Sequence, residues 1–114
     1  MFSLNSSQRY YLYNEPTDMR KSFNGLTGIV TNALGRQPAY GEVYVFVNKN
    51  KNLIKLLHLE PGGFVLYYKR LEEGRFTLPS STSTSQPVTW ADLVMIIEGI
   101  SPDKVVRKKR YSAP

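Results

Sequence analysis

Hydrophobic residues near the start of the chain follow two different periods, which predict a strand and then a helix. Residues 9–13 are aromatic and extended in character, and the turn residues 14–16 follow them. Thr17 and Asp18 are good N-cap residues, and the apolar positions after them recur every three or four residues, as on one face of a helix. This face comprises Met19, Phe23, Leu26, Val30 and Leu34. We therefore predict a long helix that ends at Gly35.

The middle of the chain has the pattern of successive strands. Residues 43–47 are β-branched and aromatic, and the polar turn 48–52 separates them from the apolar run 53–59. A Pro-Gly-Gly turn at residues 61–63 then leads into the aromatic run 64–68. Hairpins of this kind predict an antiparallel meander. Because the runs are apolar on both faces, we expect much of the sheet to be covered on both sides.

The last predicted element is a short helix. Residues 80–87 form a Ser/Thr-rich stretch, which we interpret as a mobile connector. Thr89 after it can cap a helix, with Asp92 placed to complete a capping box and Gly99 placed to end it. The predicted fold class is therefore α+β, an antiparallel β-meander of about four to five strands. One long N-terminal helix and one short C-terminal helix are expected to pack on it.

Length and composition limit the class of protein. The 114 residues suit one domain, predicted as residues 1–103, because two cores would leave each half too small to fold well. The chain has no cysteine, which excludes disulfides and thiolate metal sites. It also has no signal peptide or long apolar run, so we expect a cytoplasmic protein without membrane spans.

The formal net charge of +6 is concentrated near the C-terminus. Residues 104–114 form a basic tail that contains Lys104, Arg107, Lys108, Lys109 and Arg110. The preceding residues, 1–103, carry nearly equal numbers of acidic and basic side chains. Such a tail is typical of an arm that binds a polyanion, and a solvated tail that aids solubility is the alternative interpretation.

A second candidate for phosphate contact lies at the start of the predicted long helix. Arg20 and Lys21 would occupy its first turn, where the helix dipole is already positive, so helix stability alone does not favour them. Together with the free backbone N–H groups they could bind a DNA phosphate. The alternative is that Glu15 or Asp18 neutralises them.

A further basic set lies around the hairpin tip and the strand ends. It consists of Lys49, Lys51, Lys55, Lys69, Arg70 and Arg75, interleaved with Tyr44, Tyr67 and Tyr68. These side chains could follow a phosphate backbone. They could equally be ordinary solvated turn residues, with the tyrosines in the core.

Candidate catalytic residues are few. The only histidine, His58, lies in an apolar strand, and we interpret it as packed or hydrogen-bonded there. Glu60, Glu72 and Glu73 could form a metal-dependent nuclease site only if they converge, and an ion-paired rim is the preferred interpretation. We therefore predict no catalytic residues, no metal site, no cofactor and no enzymatic activity.

Two long motifs carry a resemblance to a known family. Residues 18–26, Asp-Met-Arg-Lys-Ser-Phe-Asn-Gly-Leu, resemble a family signature that differs by an aspartate in place of Asn24. Residues 63–76 are similar to its Gly-Phe-x-Leu-Tyr-Tyr-Lys-Arg-Leu-Glu-x-Gly-x-Phe block, and residues 41–48 and 90–99 fit in the same order. The family is that of the TnpB-type accessory proteins that insertion-sequence-66 transposable elements carry beside their transposase.

The resemblance implies an auxiliary factor for DNA transposition, with the catalytic carboxylates expected in the separate transposase. We predict contact with DNA, with the transposase of the same element, or with both. A protein-interaction module without direct DNA binding is the alternative. The residues predicted to contact DNA are Arg20, Lys21, Lys69, Arg70, Arg75, Lys104, Arg107, Lys108, Lys109 and Arg110. Strand order, oligomeric state and DNA sequence preference stay open.

Overall fold

A computed structural model describes residues 4–99, which form one five-stranded sheet and two helices. In chain order the elements are β1 (Arg9–Tyr13), α1 (Phe23–Asn32), β2 (Glu42–Val47), β3 (Leu53–Glu60), β4 (Gly63–Arg70), β5 (Ser85–Val88) and α2 (Trp90–Glu98). The strands lie side by side in the order β4-β3-β2-β1-β5. Within residues 4–99, neither helix has the length and apolar character needed to cross a bilayer.

The sheet is mixed, so the predicted antiparallel meander is wrong. β2, β3 and β4 do form consecutive antiparallel hairpins, but β1 runs parallel to β2. The reason is that residues 14–41 cross one face of the sheet and bring the chain back to the end where β1 begins. There the Arg9 N–H donates to the Gly41 carbonyl at 2.8 Å. Parallel neighbours require such a crossover, whereas a hairpin gives only antiparallel ones.

The first helix is shorter than predicted and starts at Phe23, not after Asp18. The Asp18 carboxylate accepts from the Arg20 N–H at 2.9 Å, and the Asp18 carbonyl accepts from the Lys21 N–H at 3.1 Å. These bonds close a turn before the helix, so Asp18 does not cap the helix itself. Ser22 occupies the N-cap position without a side-chain capping bond.

Part of the predicted Ser/Thr-rich connector is a strand. Ser85–Val88 forms β5 and pairs antiparallel with β1, with Tyr10 opposite Val88 and Tyr13 opposite Ser85. The Gln86 amide also donates to Asn14 Oδ1 at 3.2 Å. A polar segment can form an edge strand because the backbone, which every residue carries, makes the ladder.

The second helix begins and ends as predicted. The Thr89 hydroxyl accepts from the Asp92 N–H at 3.0 Å, and the Asp92 carboxylate accepts from the Thr89 N–H at 3.2 Å. This is the expected capping box, and Gly99 is the C-cap residue. Because the box needs only residues close in sequence, the sequence specifies it without tertiary context.

The two helices cover opposite faces of the sheet. On one face, α1 contributes Leu26 and Val30 to a cluster with Tyr44, Phe46 and Leu57. On the other face, α2 joins a cluster that comprises Leu4, Tyr10, Leu12, Val43, Val45, Val47, Ile54, Leu56, Leu71, Phe76, Val88, Leu93, Ile96 and Ile97. Covering on both faces explains why β2 is buried along its whole length, and it confirms that part of the prediction.

Candidate nucleic-acid interface

Among residues 4–99, most of the candidate cations lie at one end of the sheet. The β2–β3 turn lies at this end, and the antiparallel register places the end of β4 beside it, with Leu53 opposite Arg70. We call the side chains here the basic end; they are Lys21, Lys49, Lys51, Lys69 and Arg70. Within residues 4–99, none of these five makes an ion pair. Sheet topology therefore brings together cations that are far apart in sequence.

A network around Asn48 holds the turn that carries two of these lysines. Asn48 Oδ1 accepts from the Asn52 N–H at 3.0 Å and from the Leu53 N–H at 2.9 Å. Lys51 adopts a left-handed conformation with φ 58°, which a non-glycine residue takes only when the turn requires it. The side chains of Lys49 and Lys51 are exposed on this ordered turn.

Lys55 fixes the loop that carries Lys21. Its side chain is only 5% exposed, and Nζ donates to the Met19 carbonyl at 2.8 Å and to the Lys21 carbonyl at 2.7 Å. The ammonium also lies 4.5 Å from the centroid of the Tyr68 ring. Lys55 is thus bound to backbone carbonyls and is not a free phosphate ligand, contrary to its place in the predicted basic set. Its position between buried Ile54 and Leu56 was the signal in the sequence.

Arg20 differs from its neighbour because it is paired. Its guanidinium lies against the Asp18 carboxylate, with Nη2 at 2.6 Å from Oδ2. Hydrogen bonds from Arg20 lower the pKa of Asp18 to about 2. The alternative that Asp18 neutralises this pair therefore holds for Arg20, whereas Lys21 has no ion pair within the described residues.

The neighbours Lys69 and Arg70 project to opposite faces, because side chains alternate along a strand. Arg70 is opposite Leu53 and lies on the face covered by α1, where Lys55 reaches Tyr68 and the Lys21 loop. Lys69 is opposite Ile54, whose side chain packs in the cluster under α2. Lys21 and Arg70 thus share a face, and Lys69 reaches the same end from the other side.

The remaining predicted DNA contacts are distributed differently. Arg75 is exposed and near the same end, since the Phe76 N–H donates to the Lys51 carbonyl at 2.7 Å. The cations of the tail, residues 104–114, lie outside the described residues. Of the interleaved tyrosines, Tyr44 is buried and Tyr67 packs on the core, so only Tyr68 is strongly exposed.

The opposite end of the sheet has an ion-pair network around one buried carboxylate, which the sequence-based predictions did not include. Glu42 is 6% exposed, and its carboxylate accepts from Arg36 Nη2 at 3.0 Å and from the Tyr44 hydroxyl. Arg9 approaches the same carboxylate at 3.5 Å, and the Arg36 guanidinium stacks 3.9 Å from the centroid of the Tyr11 ring. In the sequence, the signal for this buried carboxylate was a glutamate at the start of the apolar strand β2.

The pKa of Glu42 reflects two opposing effects. Burial alone would raise the pKa, but the hydrogen bonds from Tyr44 and Arg36 outweigh it and hold the pKa below its ordinary value of 4.5. Burial, followed by the hydrogen bond to Glu42, raises the pKa of Tyr44 to about 12. The cations at this end are thus committed to a buried carboxylate.

The carboxylates that could have formed a nuclease site do not converge. Glu60 ends β3, whereas Glu72 and Glu73 follow β4 at the opposite end of the hairpin, about 26 Å away by strand length. His58 is buried, as predicted, with Nδ1 at 3.5 Å from Glu60 Oε2. Within residues 4–99, no three His, Cys, Asp or Glu side chains are grouped so that they could hold a metal ion.

Comparison with known proteins identifies the family. Residues 8–107 match the family model described as "IS66 Orf2 like protein". Two similar relatives are uncharacterized proteins of Sinorhizobium fredii. One, y4jC, is 27% identical over 100 residues, which cover 88% of this chain and 86% of the relative. The other, y4hO, is 32% identical over 92 residues, which cover 81% of this chain and 80% of the relative.

No solved structure matches the chain significantly. The family match spans most of the sequence and includes both long motifs, residues 18–26 and 63–76. The first motif contains the loop residue Lys21 and the second contains strand β4. Lys55 contacts both at the basic end, through the Lys21 carbonyl and the Tyr68 ring. The chain belongs to the IS66 Orf2-like family and is thereby a transposition-associated accessory protein of the IS66 type.

Proposed function

We propose that this protein assists IS66-type transposition without catalysing it, by binding DNA phosphates at the basic end and by contacting the transposase of the same element. The observation that carries the proposal is the contrast in cation pairing. The basic end presents Lys21, Lys49, Lys51, Lys69 and Arg70 without ion pairs to other described residues. Unpaired, solvated cations gathered at one end of a small body are what a phosphate backbone binds.

The structure supports a central role for Lys21 and Arg70 within this set. Both lie on the face covered by α1, and Lys55 fixes the backbone that carries Lys21. Lys69 reaches the same end from the other face and Arg75 is exposed near it, so both could extend the contact, and the cations of the tail would add to it. The binding expected from such contacts is largely independent of DNA sequence, because phosphates carry no base identity.

The test is fluorescence anisotropy of a labelled duplex of arbitrary sequence, titrated with the full chain at several salt concentrations. We expect affinity to fall steeply as salt rises, because bound cations release counterions. Lys21→Gln and Arg70→Gln should each reduce the slope of log K against log salt by about one and weaken binding uniformly across sequences.

Arg9→Gln is the matched control, since it also removes one positive charge but at the opposite end of the sheet. It should leave the slope unchanged. If Arg9→Gln has the same effect as Lys21→Gln, only net charge matters and the assigned surface is wrong. If the full chain does not bind DNA at about 50 mM salt, the DNA part of the proposal fails.

A specific observation favours the transposase contact. Tyr10, Tyr11, Val88 and Trp90 line an open cleft of 560 Å³ between β1, β5 and the start of α2. The Tyr10 and Trp90 rings lie 5.7 Å apart there. Tyr10 is buried at the base of the cleft, whereas Tyr11 and Trp90 are partly exposed, and partly exposed aromatic side chains are enriched in protein interfaces.

A co-purification experiment with the transposase of the same element tests this contact. Ala91 is exposed at the rim of the cleft, so Ala91→Arg should block the cleft without disturbing the core. We expect the native chain to be retained by the immobilised transposase and Ala91→Arg to be lost. Equal retention of both would place the contact elsewhere, and no retention at micromolar concentration would remove the transposase from the proposal.

A further inference from the structure

The two edges of the sheet are protected very differently. β5, at one edge, is four residues long and contains Pro87, which has no N–H to offer. β4, at the other edge, is eight residues long and contains no proline. Within residues 4–99, only β3 pairs with the backbone of β4. A long unpaired edge strand is a template on which another strand can pair, and natural proteins usually limit such pairing, for example with a short edge strand or a proline.

The side chains of β4 are also unusually exposed for apolar residues. Val65 is 44% exposed and Tyr68 is 51% exposed, and they lie on opposite faces of the strand. By contrast, the neighbouring strands β2 and β3 are buried along most of their length. Apolar side chains on both faces of a free edge would be covered if the sheet continued beyond it.

The geometry points to a second copy of this chain as the occupant of the edge, with the two β4 strands paired antiparallel about a twofold axis at Leu66. Such an axis is perpendicular to the sheet, so each face of one copy continues into the same face of the other. Opposite residues must then come from the same face of β4. Around Leu66 this places Phe64 opposite Tyr68 and Val65 opposite Tyr67, which are apolar and aromatic pairs of the kind that stabilise sheets.

Charge complementarity favours this occupant. In the same register Lys69 of one copy is opposite Gly63 of the other, which has no side chain to block it. Gly63 pairs with Glu60 on β3, so Lys69 and Glu60 are two strands apart on one face. Their Cα atoms would be about 10 Å apart, a span that extended Lys and Glu side chains cross. By symmetry this ion pair forms twice.

The antiparallel arrangement also keeps like charges apart. In a parallel pairing the Lys69 and Arg70 of both copies would lie side by side and repel each other. In the antiparallel pairing, the two basic ends point in opposite directions. The pairing would take Lys69 from the basic end, but it leaves Lys21 and Arg70 on the α1 face, where the proposed DNA contact is centred.

Sedimentation equilibrium of the full chain without DNA tests the inference. We expect a concentration-dependent species of twice the 13.0 kDa chain mass. Glu60→Lys and Lys69→Glu should each weaken dimerisation about tenfold, because each replaces two attractions by two repulsions. The double variant restores opposite charges and should return to within about threefold of the native constant.

Glu98→Lys is the matched control, since it makes the same change at an exposed residue of α2 and should leave dimerisation unchanged. Far-ultraviolet circular dichroism shows whether each variant is folded. A native chain that remains a 13.0 kDa monomer at several hundred micromolar would overturn the inference. So would a double variant that is as weak as the single ones.

Discussion

The two ends of the sheet use the same kinds of residue to opposite effect. At one end, Arg9 and Arg36 converge on the buried carboxylate of Glu42. At the other end, the five cations of the basic end have no ion pair within residues 4–99. A buried carboxylate must be compensated, so it holds its cations in place, whereas cations around an exposed turn remain solvated and available. The cations that pair with a buried carboxylate therefore have a structural role, whereas the unpaired, exposed cations are available to bind a ligand.

Lys55 shows that location at the basic end is not sufficient. It lies there in sequence and in space, but its ammonium is buried against the carbonyls of Met19 and Lys21. Lys55 thereby stabilises the loop before α1 and positions the exposed side chain of Lys21. The contacts of each cation, and not its location, therefore decide whether it can bind a ligand, and single substitutions can test this for each residue.

The largest expected effect is at the paired end. Glu42→Ala should reduce the free energy of unfolding by about 2–3 kcal/mol, because the Tyr44 hydroxyl and the Arg36 guanidinium lose their acceptor. Urea unfolding measures the change. Glu15→Ala removes an exposed carboxylate and should change the same free energy by less than about 0.5 kcal/mol. Equal effects would show that Glu42 is not a structural centre.

The Glu42 contribution to stability should also depend on pH below neutrality. Because the folded pKa lies below the ordinary value of 4.5, folding favours the charged form. The stabilisation is therefore complete above 4.5 and is lost as the pH falls through the folded pKa. Urea unfolding at a series of pH values from neutral into acid should show the difference between the native chain and Glu42→Ala shrinking as the pH falls through the folded pKa of Glu42.

A smaller loss of stability is expected from Lys55 at the basic end. Lys55→Met keeps the buried stem but removes the two bonds to the Met19 and Lys21 carbonyls, and it should cost about 2 kcal/mol in urea unfolding. The freed loop should also be cut faster by trypsin after Arg20 and Lys21. Lys49→Met, on the exposed turn, is the control, and similar cleavage of the loop in both variants would contradict the positioning role.

The smallest expected change sharpens the comparison by freeing a cation. Asp18→Asn keeps an acceptor for the Arg20 N–H but removes the charge that pairs with the guanidinium. The slope of DNA affinity against salt should become steeper by about one, as one more phosphate contact predicts. Asp92→Asn removes the same charge in α2, and an equal response there would reduce the effect to net charge.

Local signals in the sequence were reliable where neighbours in sequence supply all the partners. The capping box of Thr89 and Asp92 gave the start of α2 correctly for this reason. The same kind of signal gave the wrong start for α1 at Asp18. The Asp18 carboxylate instead accepts from Arg20 in a turn, and Lys55 binds the Lys21 carbonyl, so the loop continues to Ser22 before the helix begins. The partner that decided the outcome is more than thirty residues away.

For the candidate site residues, too, the sequence identified local features but not the contacts that the fold creates. The sequence identified the basic residues of the hairpin and the two long motifs, and through them the family. It could not show that Lys69 and Arg70 face opposite ways relative to the helices, nor that Arg20 is paired. It also missed Glu42: the glutamate at the head of an apolar strand was the available signal, but the partners that compensate it, Arg36 and Tyr44, are set by the fold.

The sequence by itself determined the hairpins, the second helix, the supply of cations and the family. Tertiary structure alone decided that β1 runs parallel to β2, that part of the Ser/Thr-rich stretch forms an edge strand, and which cations are paired. The physical reason is that periodicity and capping report interactions over a few residues. Sheet order and the burial of a charge depend on residues that only the folded chain brings into contact.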